Sequence, residues 1–118
     1  MTGPVRFNAA SDRSDPLASV VTVVGEVDLA TAPTLADHLR QAADGGEAVV
    51  VDLTGCTFID SSGFRVLHEA AATTPTVLVV PSGSPITRAM AIAGLERLVP
   101  MVEDVESAKR HLKSGAPG

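Results

Sequence analysis

Two kinds of hydrophobic pattern alternate along this chain. Short, Val-rich runs with few charges are separated by stretches in which apolar residues recur every three or four positions. Uncharged β-branched runs are typical of strands buried on both faces, whereas the longer spacing is typical of amphipathic helices. The pattern therefore predicts strands and helices in alternation. The predicted strands cover residues 5–9, 17–24, 48–53, 76–80 and 98–102.

Prolines and glycines mark the ends of the predicted helices. Pro33 lies where the first turn of a helix tolerates proline, and the glycines that follow Asp44 end that helix. Gly94 ends a later helix in the same way. The predicted helices cover residues 29–43, 64–71 after the sequence Ser61-Ser62-Gly63, 85–93 and 103–113.

This order of elements predicts the α/β class, with helices packed on a largely parallel sheet. The polar loop of residues 11–16 is too short to hold a crossover helix, so the first two strands are expected to be antiparallel and the sheet mixed. With 118 residues, the chain has the length of one domain. We expect a single domain over residues 1–118, with a core over about residues 5–112 and a flexible tail at 114–118.

Composition and charge exclude several classes of function. The chain has 3 Phe, no Trp, no Tyr and a net charge of −5, which argues against stacking on bases and against binding a phosphate backbone. Its single cysteine, Cys56, excludes an intrachain disulfide and a multi-cysteine metal site. Residues 1–10 show no signal peptide, and the longest uncharged stretch, residues 70–87, is interrupted by prolines. We therefore expect a cytoplasmic protein that binds neither nucleic acid nor membranes.

Candidate chemistry lies at three strand-to-helix junctions, residues 25–28, 59–63 and 82–85. The middle junction contains Asp60, Ser61 and Ser62, which are residue types that cap helix N-termini. On a structural interpretation these side chains only cap the helix. On a functional interpretation one serine hydroxyl stays free, and a phosphoryl group added there faces the positive end of the helix.

Enzymatic interpretations have weaker support. Ser61 or Ser62 with a histidine suggests a hydrolase, but the sequence around them lacks the G-x-S-x-G elbow. Asp28 and Asp60 suggest a carboxylate pair for a metal, although turn acids of this kind more commonly accept hydrogen bonds. No phosphate-binding G-x-x-x-x-G-K-[ST] loop is present. We expect no catalytic residue, no metal site and no cofactor. The three histidines are His38, His68 and His111.

Taken together, three segments resemble the STAS domain family, in particular the bacterial anti-sigma factor antagonists. They are residues 24–28 (Val-Gly-Glu-Val-Asp), 51–53 (Val-Asp-Leu) and 58–63 (Phe-Ile-Asp-Ser-Ser-Gly). The resemblance runs over about residues 5–112. It implies the STAS fold, a mixed, mostly parallel β-sheet of four to five strands with about four helices. The match continues at Ile86, Arg88, Gly94, Leu95, Leu98 and Pro100.

The resemblance also implies a function without catalysis. Such proteins bind an anti-sigma factor that is also a serine kinase, and this binding frees a sigma factor for RNA polymerase. The kinase phosphorylates the first serine of the motif, here Ser61, which releases the antagonist, and a serine phosphatase restores it. A monomer is expected. The implied partner-binding residues are Asp28, Ala30, Thr31, Asp60, Ser61, Ser62, Gly63 and Arg65.

Within this motif, Gly63 would open the helix start and let another backbone approach closely. Arg65 departs from the family, which often lacks a cation at this position, and it would pair with an acidic partner or with the phosphate itself. Two alternatives stay open. One is a STAS interaction module of a lipid-transport or stressosome-like complex, without phosphorylation. The other is a small hydrolase that uses Ser61 or Ser62.

Overall fold

The computed structural model of the chain describes residues 7–12, 18–44 and 48–113. They form a five-stranded sheet flanked by four α-helices and one short 3₁₀ helix, which confirms the predicted α/β fold. The strands are β1 (Phe7–Asp12), β2 (Ala18–Val27), β3 (Ala48–Ile59), β4 (Thr76–Val79) and β5 (Met101–Val102). The helices are α1 (Ala32–Ala43), α2 (Ser61–Thr73), α3 (Pro85–Ala93) and α4 (Val105–Lys113), with the 3₁₀ helix at Leu95–Arg97.

The strands lie in the sheet in their order along the chain, β1-β2-β3-β4-β5. Strand β1 is antiparallel to β2, as expected, and each later pair of neighbours is parallel. The carboxyl ends of β2, β3 and β4 therefore meet at one edge of the sheet. In open α/β sheets this is the edge where binding sites gather, because the loops after the strands converge there.

The sheet is covered on both faces, but unequally. On one face, α1, α2 and α3 bury Leu35, Leu67 and Met90 against the strands. On the other face, α4 packs Ala108 against residues such as Val50. Burial on both faces explains the uncharged valine run of β3, since a charged side chain there would lose its hydration without a partner. None of the described helices is long and apolar enough to cross a membrane.

Strands β2 and β3 extend further than the sequence pattern predicts. The predicted ends at residues 24 and 53 were wrong, because β2 continues to Val27 and β3 to Ile59. The pairing of these strands shifts register between Thr22 and Val24 and again between Gly25 and Glu26. Gly25 has a φ of 98°, which glycine tolerates inside a bulged strand. The bulges interrupt the hydrophobic alternation without ending the strands.

Other element ends differ for local reasons. Helix α1 begins at Ala32 and not at residue 29, because residues 28–31 form a turn. Helix α4 begins at Val105 and not at residue 103, and β5 contains only two residues of the predicted 98–102. Residues 11–12 of the predicted loop belong to β1. Residues 5–6, residues 13–17, the glycines predicted to end the first helix (residues 45–46) and the predicted tail at 114–118 lie outside the described residues.

Candidate functional site

Two turns with the same hydrogen-bond pattern lie side by side at the carboxyl edge of the sheet. One comprises residues 28–31 after β2, and the other comprises residues 60–63 after β3. The strands pair in parallel up to Val27 and Ile59. The Asp60 N–H then donates to the Val27 carbonyl oxygen at 3.1 Å. This bond joins the two turns at their bases.

In the first turn, one carboxylate oxygen of Asp28 accepts hydrogen bonds from two backbone N–H groups. They belong to Ala30, at 3.0 Å, and Thr31, at 3.1 Å. The Thr31 hydroxyl accepts from the Asp28 N–H at 2.9 Å and lies 3.0 Å from the Glu26 carbonyl oxygen, to which it donates. Both polar side chains of this turn are therefore bound to the protein's own backbone.

In the second turn, Asp60 caps the N-terminus of α2. Its carboxylate accepts from the Ser62 N–H at 2.8 Å and from the Gly63 N–H at 3.2 Å, while its carbonyl oxygen accepts from the Phe64 N–H at 3.0 Å. Within the described part of the chain, neither serine hydroxyl takes part in a hydrogen bond. Ser61 is exposed and Ser62 is half-buried. Asp60 alone therefore caps the helix. The exposed Ser61 hydroxyl stays free, as the functional interpretation requires.

Gly63 is buried beneath this turn. A Cβ atom there would lie 2.5 Å from Cγ1 of Ile59 and 2.7 Å from Cγ1 of Val27, far inside van der Waals contact. Both of these side chains belong to the core. The glycine therefore lets the first turn of α2 pack closely on the ends of β2 and β3. The space at its Cα is filled by these two side chains, and not by another backbone as expected from the sequence.

A cleft of about 390 Å³ lies beside the second turn. Of the predicted site residues, Ser61, Ser62 and Arg65 line it, while Asp28, Ala30 and Thr31 form the neighbouring turn. Leu29, which is 78% exposed, is not among the predicted site residues. The sequence pattern places it at the start of the predicted helix over residues 29–43, within the loop that is expected to flank the site. The full lining is Leu29, Ala32, Pro33, Ser61, Ser62, Arg65 and Val66.

A third turn, residues 81–84 after β4, lies at the same edge. Both the backbone N–H and the hydroxyl of Ser82 donate to the carboxylate of Glu103, and the Ser84 hydroxyl caps α3 by accepting from the Ile86 N–H at 3.3 Å. The hydroxyl bond, and then the backbone bond, lower the pKa of Glu103. Ser82 is thus an exposed serine whose hydroxyl already has a partner.

The residues considered for catalysis do not assemble around Ser61. No hydrogen bond joins Ser61 or Ser62 to a histidine in the described ranges. In the same ranges, no three His, Cys, Asp or Glu side chains lie close enough together to hold a metal ion. Cys56 is buried, and burial raises the pKa of its thiol, which lies 3.3 Å from the Phe58 carbonyl oxygen. These features agree with a small buried hydrophobe rather than an activated nucleophile.

Comparison with known proteins places this architecture in a family. The family model described as "Mlab, STAS domain" matches residues 10–103. The anti-sigma-F factor antagonist RsfB of Mycobacterium tuberculosis is 29% identical over 101 residues, which are 82% of this chain and 83% of RsfB. These relatives carry the name of regulatory proteins rather than of enzymes.

Solved structures show the same fold. An anti-sigma factor antagonist from Mycobacterium paratuberculosis superposes with a TM-score of 0.84 at 24% identity, covering 96% of this chain and 99% of that one. The unphosphorylated form of the antagonist SpoIIAA gives 0.66 at 18% identity, over 92% of this chain and 100% of SpoIIAA. Its phosphorylated form, from Bacillus, gives 0.62 at 18% identity, over 87% and 98%. Since the family model covers most of its length, the chain belongs to the STAS domain family.

Proposed function

We propose that this protein is an anti-sigma factor antagonist controlled by phosphorylation of Ser61. It binds an anti-sigma factor that is also a serine kinase, and this binding frees a sigma factor. The observation that carries the proposal is the state of the Ser61 side chain. It is exposed and makes no hydrogen bond to any described residue, in a turn where Asp60 already caps the N–H groups of Ser62 and Gly63. The names of the relatives RsfB and SpoIIAA support the same function.

The proposed docking surface combines an apolar and a polar part. Leu29 projects from the first turn with 78% of its surface exposed, and Ser61 and Arg65 line the adjoining cleft. Burying a leucine side chain against a partner contributes roughly 1.5–3 kcal/mol. Ala30 and Pro33 are also exposed and extend this surface along the start of α1. The docking surface is therefore an apolar projection beside a hydroxyl and a cation.

In the proposed phosphorylation, the kinase supplies ATP. The bond between the γ-phosphorus and its bridging oxygen breaks, a bond from Ser61 Oγ to that phosphorus forms, the hydroxyl proton passes to a base on the kinase, and ADP leaves. The phosphoryl group adds a charge of about −1.5 to −2. It places that charge at the centre of the docking surface, on a chain whose net charge is already −5. Repulsion and loss of packing then separate the partners without refolding, and a serine phosphatase reverses the change by hydrolysis.

Isothermal titration calorimetry against the anti-sigma factor kinase of the same organism tests the proposal. We expect the wild type and Ser61→Ala to bind, and Ser61→Asp to bind at least tenfold more weakly, a difference of about 1.4 kcal/mol. Ser82→Asp is the matched control, because it adds the same charge at another exposed serine of the same sheet edge. No binding by the wild type, or equal affinities for Ser61→Asp and the wild type, would refute the proposal.

The alternative is a STAS interaction module without phosphorylation, in a lipid-transport or stressosome-like complex. The matching family model is described as a STAS domain and not as an antagonist, so family membership is compatible with this alternative too. This alternative predicts that the docking surface recruits a subunit of such a complex regardless of the state of Ser61. Co-purification with an ATPase subunit or a sensor protein that survives Ser61→Asp would support it over the sigma-factor function.

A further inference from the structure

We propose that the phosphate on Ser61 is held by Arg65, one turn further along the same helix. Phosphorylation then has a second effect on partner binding. The Arg65 guanidinium, which the docking surface otherwise offers to a partner, becomes paired with the phosphate. This inference rests on the proposed function, which supplies the phosphate. Neither the fold nor the relatives determine which group of the chain contacts that phosphate.

The backbone at the start of α2 offers the phosphate few free hydrogen-bond donors. The N–H groups of Ser62 and Gly63 donate to the Asp60 carboxylate, and the N–H of Phe64 donates to the Asp60 carbonyl oxygen. Of the backbone donors that commonly bind anions at a helix N-terminus, the Ser61 N–H is therefore the one without an acceptor among the described residues. The Asp60 carboxylate also adds a negative charge next to Ser61. A single backbone N–H satisfies only one of the acceptors of a phosphate, so a donor from a side chain would hold it more firmly.

Arg65 has the position and the freedom to be that donor. Residues four apart on a helix lie on the same side, with Cβ atoms about 5–6 Å apart, and Arg65 follows Ser61 by four. Both side chains line the same cleft, and both residues are exposed. Arg65 forms no ion pair or hydrogen bond with another residue of the described ranges. Its guanidinium has the planar set of donors that binds phosphate oxygens in pairs.

Around the cleft, within the described ranges, no other cation competes for the phosphate and no carboxylate is paired with Arg65. Among the described residues that line the cleft, Arg65 alone is basic. Arg40, on the facing helix α1, is already paired with Asp37. The nearby carboxylates of Asp28 and Asp60 accept backbone hydrogen bonds, and Glu69 lies one further turn along α2 with no ion pair to Arg65. A phosphate of about two charges attracts the guanidinium more strongly than the single charge of Glu69 does.

The pairing has a measurable consequence for the phosphate itself. The second pKa of phosphoserine is about 6 in the absence of a partner. A neighbouring guanidinium favours the dianion and lowers that pKa, whereas Asp28, Asp60 and Glu69 raise it. Replacement of Arg65 by an uncharged residue removes this lowering influence. It leaves the carboxylates, the positive end of the helix and His68, one turn beyond Arg65, in place. The second pKa of the phosphate therefore reports directly on whether Arg65 holds it.

The test uses the full-length chain with phosphoserine incorporated at position 61 during translation, and ³¹P NMR follows the phosphate from pH 4 to 9. In Arg65→Gln we expect the second pKa to rise by about 0.5, the size expected for one surface ion pair. Arg65→Lys, which keeps the charge but loses the paired donors, should give a smaller rise. Arg110→Gln is the matched control, because it removes the same charge from α4 on the opposite face of the sheet.

Equal pKa values for Arg65→Gln and Arg110→Gln would overturn the proposal, whether both rise or neither changes. Because the phosphoserine is introduced without a kinase, this result is independent of the proposed function. If the anti-sigma factor kinase fails to modify Ser61 while Arg65→Gln still raises the pKa, the sigma-factor function fails and the pairing stands. If the kinase modifies Ser61 and the pKa does not respond to Arg65, the pairing fails and the function stands.

Discussion

The turns after β2 and β3 follow one backbone plan with different side chains. In each, the carboxylate of the first residue, Asp28 or Asp60, accepts from the N–H groups two and three positions later, and its carbonyl oxygen accepts from the N–H four positions later. The differences lie in the other positions. The second residue is Leu29 in one turn and Ser61 in the other, and the fourth is Thr31 or Gly63.

These differences decide whether a hydroxyl of the turn is hydrogen-bonded within the protein. We call a turn closed when it is and open when it is not. In the first turn Thr31 adds a hydroxyl that binds back to the Asp28 N–H and the Glu26 carbonyl oxygen. In the second, Gly63 has no side chain, so the first turn of α2 packs closely on Ile59 and Val27. The Ser61 hydroxyl has no hydrogen-bond partner among the described residues. The third turn is closed too, because Ser82 donates to Glu103. A serine near a helix start is thus insufficient evidence of a free hydroxyl. Whether the hydroxyl is free depends on the hydrogen-bond acceptors that the fold places beside it.

The largest loss of stability should come from placing a side chain at the fourth position of the open turn. Gly63→Ala puts a Cβ atom within 3 Å of two core side chains, Ile59 and Val27. We expect the free energy of unfolding to fall by about 2 kcal/mol, the range found for overpacked cores. Urea denaturation followed by circular dichroism measures it. Ser62→Ala, next to it, should change stability by no more than about 0.5 kcal/mol. Equal stability of Gly63→Ala and the wild type would contradict the packing described.

A smaller effect should distinguish the hydroxyls of the two turns. Thr31→Val leaves the partly buried Asp28 N–H without its acceptor, which should cost about 1 kcal/mol in the free energy of unfolding. Ser61→Ala breaks no hydrogen bond to a described residue, so stability should stay within about 0.5 kcal/mol of the wild type. The same denaturation experiment compares them. If Ser61→Ala were the more destabilising change, the Ser61 hydroxyl would be structural.

The smallest effect concerns the third turn and its dependence on pH. Because the folded state lowers the pKa of Glu103, the contact with Ser82 stabilises the protein fully above the ordinary glutamate pKa, and this contribution is lost as pH falls through the lowered value. In Ser82→Ala the pKa of Glu103 should rise toward its ordinary value, as measured by ¹³C NMR of the carboxyl carbon. The pKa of Asp104, lowered through hydrogen bonds to Ser107, is the internal control and should stay unchanged. An unaltered pKa for Glu103 would mean that its bond to the Ser82 hydroxyl is absent in solution.

Much of the fold could be predicted because the sheet is buried on both faces. The valines of β3 and the limits of α3 follow from hydrophobicity and from Pro85 and Gly94, which act locally. The extension of β2 past Gly25 could not be predicted in this way, because the register shifts depend on pairing with a strand about 30 residues away. The start of α4 was also misplaced, since Glu103 bonds to Ser82 across the sheet edge.

The site divides in a similar way. Asp60, Ser61 and Gly63 could be singled out from the sequence because the cap, the hydroxyl and the glycine lie within four consecutive residues. Two features of the site required coordinates. The exposure of Leu29 depends on the turn that separates it from α1, and the role of Gly63 depends on Ile59 and Val27, which only the fold brings beneath it. Hydrophobic periodicity carries no information about either.

Mapping of the phosphate by tandem mass spectrometry tests the central claim most directly. The protein is incubated with ATP and its anti-sigma factor kinase, and each serine of the sheet edge is then examined. We predict one phosphate, on Ser61, in the wild type and in Ser82→Ala, and none in Ser61→Ala. Modification of Ser62 or Ser82 instead, or labelling of Ser61→Ala as strong as that of the wild type, would contradict the claim that the open turn presents the acceptor.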